Sequence, residues 1–444
     1  MKNYHSRPRL AVTVGGRSAL NHAGTRLLAD VADAVGLTGA LSAAMAPTRQ
    51  RAGGCDRGRV LVDLAVMLAD GGETISDLAV LRNQPALFGE VASLATAWRT
   101  LEAVDDACLA RIARARAAAR AKAWAAGGDP GFYVIDIDGT LIGSHSDKQG
   151  AAPTYKRGFG FHPLVAYLDA TGEALAALLR PGNAGSSTAT DHVAVLDDAL
   201  AQLPVDPAAV EVIARADSAG LSHGFVDACR ARHVRFVIGH RLSAEIAAIL
   251  AGLPAHRWRP AITADGADER EDAEVAEITD LVGLSGWPDG MRMIARREDP
   301  HPGAQLTFTD VDGHRFQVVV TDCVDDDIAY LEALYRGRGR VERRICDAKD
   351  TGMANLPSAS FAINQTWLTL VGIAQDLFAW TQLLILDGEL SRAEPKRLRY
   401  CLLHVAAQFT RSGRRDRLRI AETWPWATQI VEAFNRVDTI TPRC

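Results

Sequence analysis

The sequence lacks the marks of several protein classes. Nothing near its start joins a charged segment to an apolar stretch, and no uninterrupted apolar run approaches the roughly 20 residues that a bilayer span requires. A secretory leader and a membrane anchor are therefore not expected, and the chain reads as soluble and cytoplasmic. The seven cysteines (Cys55, Cys108, Cys229, Cys323, Cys346, Cys401 and Cys444) are scattered, with no Cys-x-x-Cys pair and no histidine at zinc-ligand spacing along the chain. That excludes a disulfide scaffold and a zinc finger. No internal repeat is present. A formal charge of -5 excludes a uniformly basic coat, yet positive charge gathers in three places. These are RIARARAAARAK (111 to 122), YRGRGRVERR (335 to 344), and the region from SRAEPKRLR (391 to 399) to RSGRRDRLR (411 to 419). Each is either a solvated helix face or a surface that holds phosphates.

What is present is a chain of 444 residues, 48% of them hydrophobic, enough for two or three domains with a sizeable core. Within an expected first domain of residues 1 to 125, residues 15 to 125 are rich in Ala and Leu. Apolar residues recur at helical spacing in GTRLLADVADAVGLTGALSAAM and GRVLVDLAVMLADGG, so an all-α N-terminal domain is expected. GGDPG (127 to 131) breaks the pattern, and a second domain, 130 to 444, begins with the strand FYVIDID. FGFHPLVAYLD and EALAALLRPGN read as an antiparallel hairpin, and the order continues helix, strand, helix, strand to VRFVIGH. Residues 241 to 290 are polar and irregular and carry Trp258 and Trp287. Two strands, MRMIARRE and RFQVVVTD, then lead to a helix capped near Asp325 and running to about Asp350, with Gly352 as its stop. The remainder, 353 to 444, reads as helical.

Three acids stand where chemistry usually sits. Asp138 closes the first strand, and because side chains alternate, Asp136 shares its face and is assigned a supporting role. Asp217 closes the strand EVIARAD. Glu342 lies on the late helix with Tyr335, Arg338 and Lys349, four side chains that fall within roughly 60° of arc at about 100° per residue. Gly337 and Gly339 weaken that helix beside Arg338, so a kink is expected there. Two Asp and one Glu suit a pair of hard cations that activate a hydroxyl and stabilise a leaving oxygen in phosphodiester chemistry. Arg338 and Lys349 would then meet the phosphates.

The opening motif, YVIDIDGTLIGS (133 to 144), resembles that of haloacid-dehalogenase phosphatases as well as the end of a first ribonuclease-H-like strand. A later Lys and the acidic run TDCVDDD (321 to 327) would be needed for the phosphatase. The whole pattern resembles more closely the bacterial insertion-sequence transposases of the DDE class, in the insertion-sequence-four-like group marked by Tyr-x-x-Arg-x-x-x-Glu-x6-Lys. KQGAAPTYKRGFGFHPLVAYLD, LLRPGN, ARADS and ALYRGRGRVERRI are similar to its thirteen-eighty-type branch. The resemblance implies a ribonuclease-H-like mixed-sheet α/β core with an insertion at about 241 to 320. It implies Asp138, Asp217 and Glu342 as metal ligands and catalytic residues, and Tyr335, Arg338 and Lys349 as DNA contacts. It also implies two Mg²⁺ ions, replaceable by Mn²⁺, and double-stranded DNA as partner, both the terminal inverted repeats and the target. A homodimer in the synaptic complex and a location at the bacterial nucleoid follow from the same source. The N-terminal helices are then the end-recognition or oligomerisation module. A transposase-derived DNA-binding protein that no longer cuts is the alternative.

Overall fold

The computed structural model describes residues 18–49, 54–300, 313–412 and 415–440. Residues 1–17 of the expected N-terminal domain, 301–312 of the expected insertion and Cys444 lie outside them.

Among the described residues nine strands form one mixed sheet. They are β1 Tyr133–Gly139, β2 Leu164–Leu168, β3 Ala174–Leu178, β4 Val212–Ala216, β5 Val234–His240, β6 Arg259–Ile262, β7 Glu269–Glu277, β8 Arg292–Glu298 and β9 Arg315–Thr321. Their spatial order is β6-β7-β8-β9-β5-β4-β1-β2-β3. β1, β4 and β5 run parallel, joined by the helices Ala189–Leu200 and His223–Ala231. β2 and β3 are antiparallel to β1 and to each other, as the hairpin reading expects. Every residue of β2 and β4 is buried, because helices cover both faces of the sheet centre and only continuous apolar runs such as LVAYL and VIARA fit there.

The region read as irregular between 241 and 290 contains β6 and β7, and these extend the same sheet through β8 and β9. β7 escaped the hydropathy pattern because its first half, EREDA, lies on the rim and is charged, while only Ala273, Val275 and Ala276 are buried.

The C-terminal part is not all helical. After the 25-residue helix Phe361–Ile385, a hairpin of Ala407–Ser412 and Arg415–Ile420 precedes the last helix, Ala427–Ile440. Its charged strands carry too few apolar residues to show a period of two. The two-residue strand Ala19–Leu20 pairs with this hairpin, so the N-terminal region is helical except at its entry.

Among the described residues the helix Phe361–Ile385 is long and apolar enough to cross a membrane, but it lies buried in the protein. It packs between the helix Arg57–Ala69 on one side and β3 on the other. One apolar core consequently runs from Leu27 and Leu64 through Trp367 and Trp380 to Ile430. Helices before residue 125 and after residue 353 bury the same surface.

Candidate active site

The parallel strands deliver two acids to one end of the sheet. Asp138 is the next-to-last residue of β1, and Asp217 follows β4 directly. The helix Ile328–Arg336 packs against β5 to β8 and continues, through a tight turn, into Gly339–Ala348, which contacts β1 and carries Glu342. In the turn the bonds shorten to the 3₁₀ type: Arg338 N–H donates to Tyr335 O and Val341 N–H to Arg338 O, both at 2.9 Å. Helical arithmetic therefore breaks where the two glycines make it break.

Gly337 has a specific task in that turn. A Cβ there would stand 2.5 Å from Nη1 of Arg215, which donates to the Leu334 carbonyl at 2.6 Å. Arg215 is fully buried. Its fork takes both oxygens of Asp136, each at 2.7 Å, and it also pairs with Asp169 at 3.0 Å. Asp169 in turn accepts from Arg340. Asp136 is thus consumed by a buried ion chain linking β1 to β4 and to the late helix.

Asp138 stands differently. Arg338 Nη1 donates to its Oδ2 at 3.2 Å, and Arg338 Nη2 lies 3.8 Å from Glu342 Oε1. Burial pushes the Asp138 carboxyl up to about 6; Arg338 opposes this, while Asp217 and Glu342 add to it. Tyr335, 5% exposed, places its hydroxyl against Gly239 of β5, and burial raises its phenol above the ordinary range. Arg338 feels Asp138, Tyr335, Asp217 and Glu342 together. Its guanidinium thus pairs directly with Asp138 and Glu342, and Asp217 acts on it from the neighbouring strand end. The oxygens of the three acids do not all come within 4.8 Å of one another, and the Glu342 side chain is 71% exposed. Lys349 is half-buried in the turn Lys349–Met353, where Gly352 stops the helix at φ 94°.

A cleft of about 530 Å³ opens beside Asp217, lined by Gly239, Arg296, Phe316, Tyr335 and Arg338 among others. Neither tryptophan from the expected insertion lines it. Trp258 is buried beneath Arg297, 4.3 Å from its guanidinium, and Trp287 stacks on His223 at 3.9 Å. His162 is buried, bonded through Nδ1 to the Ala184 carbonyl, with Nε2 where a Cβ on Gly139 would meet it. Sequence reasoning missed Gly239 and Arg215. A glycine inside an otherwise apolar strand and an arginine inside VIARA were the available signals.

In two of the basic runs several arginines are spent on acids. Arg116 and Arg120 are buried and bonded to Asp376, and Arg120 also to Glu173 and Gln202. In the second run Arg336, Arg338, Arg340 and Arg343 all have acidic partners.

The antiparallel β2 and β3 beside β1 do not fit the doubly wound parallel sheet that the phosphatase reading needs. Asp322 of the run TDCVDDD instead accepts from the Phe236 N–H at 2.9 Å. The fold and the site together define a mixed α/β protein whose acids gather at the carboxyl end of central parallel strands. The chain matches Transposase DDE domain group 1 over residues 2–442. It belongs to that family of DNA transposases, enzymes of DNA transposition and recombination that use divalent metal ions. No curated protein matches it. Among solved structures it is similar to the piggyBac transposase synaptic complex with hairpin DNA, at 10% identity and a TM-score of 0.44, covering 85% of this chain and 80% of that one.

Proposed function

We propose that this transposase cuts and joins DNA at the ends of an insertion sequence, with Asp138, Asp217 and Glu342 as its catalytic acids. The observation that carries the reading is that Arg338 pairs with Asp138 and Glu342 at the strand end beside Asp217, with which it lines one cleft. The order β3-β2-β1-β4-β5, antiparallel on one side and parallel on the other, supports a ribonuclease-H-like core, with β6 to β9 as the insertion that extends it. The Tyr335, Arg338, Glu342 and Lys349 spacing supports the insertion-sequence-four-like group and its thirteen-eighty-type branch.

The residues fit divalent cations. Asp138 and Asp217 offer hard oxygen donors at adjacent strand ends, and the pairing of Arg338 with Asp138 supports a site that takes positive charge. Mg²⁺ held there, or Mn²⁺ in its place, would lower the pKa of an attacking water or 3′-hydroxyl and stabilise the leaving oxygen. Glu342, exposed on the turn-linked helix, is free to swing toward the strand ends. Arg338 then turns from the carboxylates to a DNA phosphate, with Lys349 beside it as a point charge. Tyr335, wedged on Gly239, fixes the height of that helix over Asp217. Asp136 supports Asp138 through Arg215 rather than by coordination. Residues 1–125 serve end recognition or oligomerisation, residues 130–444 carry catalysis, and a homodimer holds paired inverted repeats in the bacterial cytoplasm.

The test is strand cleavage of an end-containing duplex by the full-length protein. Asp138→Asn, Asp217→Asn and Glu342→Gln should each abolish Mg²⁺-dependent nicking while leaving end binding nearly intact. Full nicking by any one of them removes that residue from the site, and nicking by all three defeats the proposal.

A further inference from the structure

We propose that His22, Asp70 and His404 form a second metal site, remote from the catalytic acids, which takes Zn²⁺ or a similar transition metal. Among the described residues this is the group whose three ligand atoms all come within 4.8 Å of one another. His22 Nδ1 lies 2.7 Å from Asp70 Oδ2, and His404 Nε2 lies 3.2 Å from Oδ1 and 2.8 Å from the Asp70 carbonyl. Tetrahedral donors about 2.0 to 2.1 Å from zinc stand roughly 3.3 Å apart, so the set needs only slight widening.

The donor chemistry selects the metal. Two imidazoles and one carboxylate suit zinc and its neighbours, whereas Mg²⁺ prefers oxygen alone. The two rings sit 4.2 Å apart, tilted by 41°, both turned to one carboxylate. His22 holds its place at φ 52°, a left-handed conformation uncommon for a residue with a side chain. The carboxylate is 4% exposed and accepts a further bond from the Thr25 hydroxyl, an outer contact of the sort that orients a metal ligand. The imidazoles, 24% and 37% exposed, leave a path for an ion. Arg399, the nearby cation, is spent on the Ala69 and Leu68 carbonyls.

The site joins three distant segments. His22 precedes the first helix, Asp70 caps Arg57–Ala69, and His404 leads into the C-terminal hairpin. Ala23 N–H already donates to the Val405 carbonyl at 3.0 Å, so a metal here would lock an existing junction. Separations of 48 and 334 residues explain why no zinc spacing shows in the sequence.

The experiment uses the full-length protein, stripped with chelator and titrated with Zn²⁺ in excess Mg²⁺, with Co²⁺ as a spectroscopic substitute. Expected are one tightly held Zn²⁺ per chain, a rise in Tm, and the intense visible band of four- or five-coordinate Co²⁺. His22→Gln and His404→Gln should each weaken Zn²⁺ by more than about tenfold, while Asp138→Asn keeps it. Absence of binding, which would leave the three residues a hydrogen-bonded clasp only, overturns the proposal. So does equal affinity in the histidine variants, or loss of binding in Asp138→Asn alone. Should a variant fail to fold, a weak octahedral Co²⁺ spectrum from the parent protein decides against the site.

Discussion

Gly239 and Asp63 show how single residues set conditions that no motif announces. A Cβ on Gly239 would lie 2.3 Å from the Tyr335 hydroxyl, inside any permissible contact. Gly239→Ala should therefore cost about 1 to 3 kcal/mol, seen as a lowered Tm, and Tyr335→Phe in the same chain should recover part of it by removing the clashing oxygen. No recovery would mean that the strand itself, not the tyrosine, requires glycine. Asp63 is buried beside Arg59, its carboxyl pushed up to about 6 by burial against the pull of Arg59. Between roughly pH 4 and 6 the folded chain then binds a proton that the unfolded chain has released, so this group makes stability fall as pH rises through that window. Asp63→Asn should flatten the slope of unfolding free energy by up to about 1.4 kcal/mol per pH unit there. Urea titrations at several pH values measure it, and an unchanged slope refutes the assignment. Asp138 and Asp217 were readable as strand-end acids because alternation and apolar runs are local. The commitments of Asp136 to Arg215 and of Arg338 to Asp138 were not, because partners 79 and 200 residues away leave no trace in spacing.

At the scale of elements, the central strands and the late helix could be read from hydropathy, since burial on both faces demands continuous apolar runs. The charged strand β7 and the C-terminal hairpin could not, because the strand next to the sheet edge and the arm keep their register through backbone bonds and turn few apolar side chains inward. The hairpin changes where DNA contacts are sought. In the first two basic runs the arginines named above are ion-paired, and Arg399 of the third is buried. Arg417 and Arg419, by contrast, are exposed on one face of the strand Arg415–Ile420, opposite Thr410 and Gln408. A solvated basic ribbon of this kind meets phosphates without reading bases. Arg417→Ala and Arg419→Ala should weaken binding to all duplexes alike and reduce the slope of log K against log salt by about one for each lost contact. Arg338→Ala should reduce it as well, after releasing Asp138 from its ion pair. A slope unchanged in the Arg417 and Arg419 variants would assign the hairpin to protein contacts instead.

The whole molecule is held by a junction that the sequence division at residue 125 hides. Arg116 and Arg120, on the helix Asp106–Ala123, are locked to Asp376 of the helix Phe361–Ile385 and to Glu173 in the turn between β2 and β3. Trp124 and Trp380 donate to the same Glu173, at 3.0 and 2.7 Å. Two buried carboxylates and two buried guanidiniums thus satisfy one another only when all three parts of the chain are assembled. Removing one partner, as in Asp376→Ala, leaves buried cations uncompensated and should cost about 3 to 5 kcal/mol. The same logic governs a fragment. Residues 1–125 expressed alone would lack Glu173 and Asp376, and would lay open the apolar surface of the helix Arg57–Ala69 that Phe361–Ile385 covers. Such a fragment should be helical by circular dichroism yet unfold without a cooperative transition, and it should bind apolar dyes. Adding residues 353–440 in trans should not restore it, because Glu173 belongs to the sheet. A sharp thermal transition from the isolated fragment would instead establish the N-terminal helices as an independent domain and return end recognition to a separable module. If the fragment behaves as expected, DNA recognition by the helices must be measured in the intact chain, where sheet, long helix and N-terminal helices share one core.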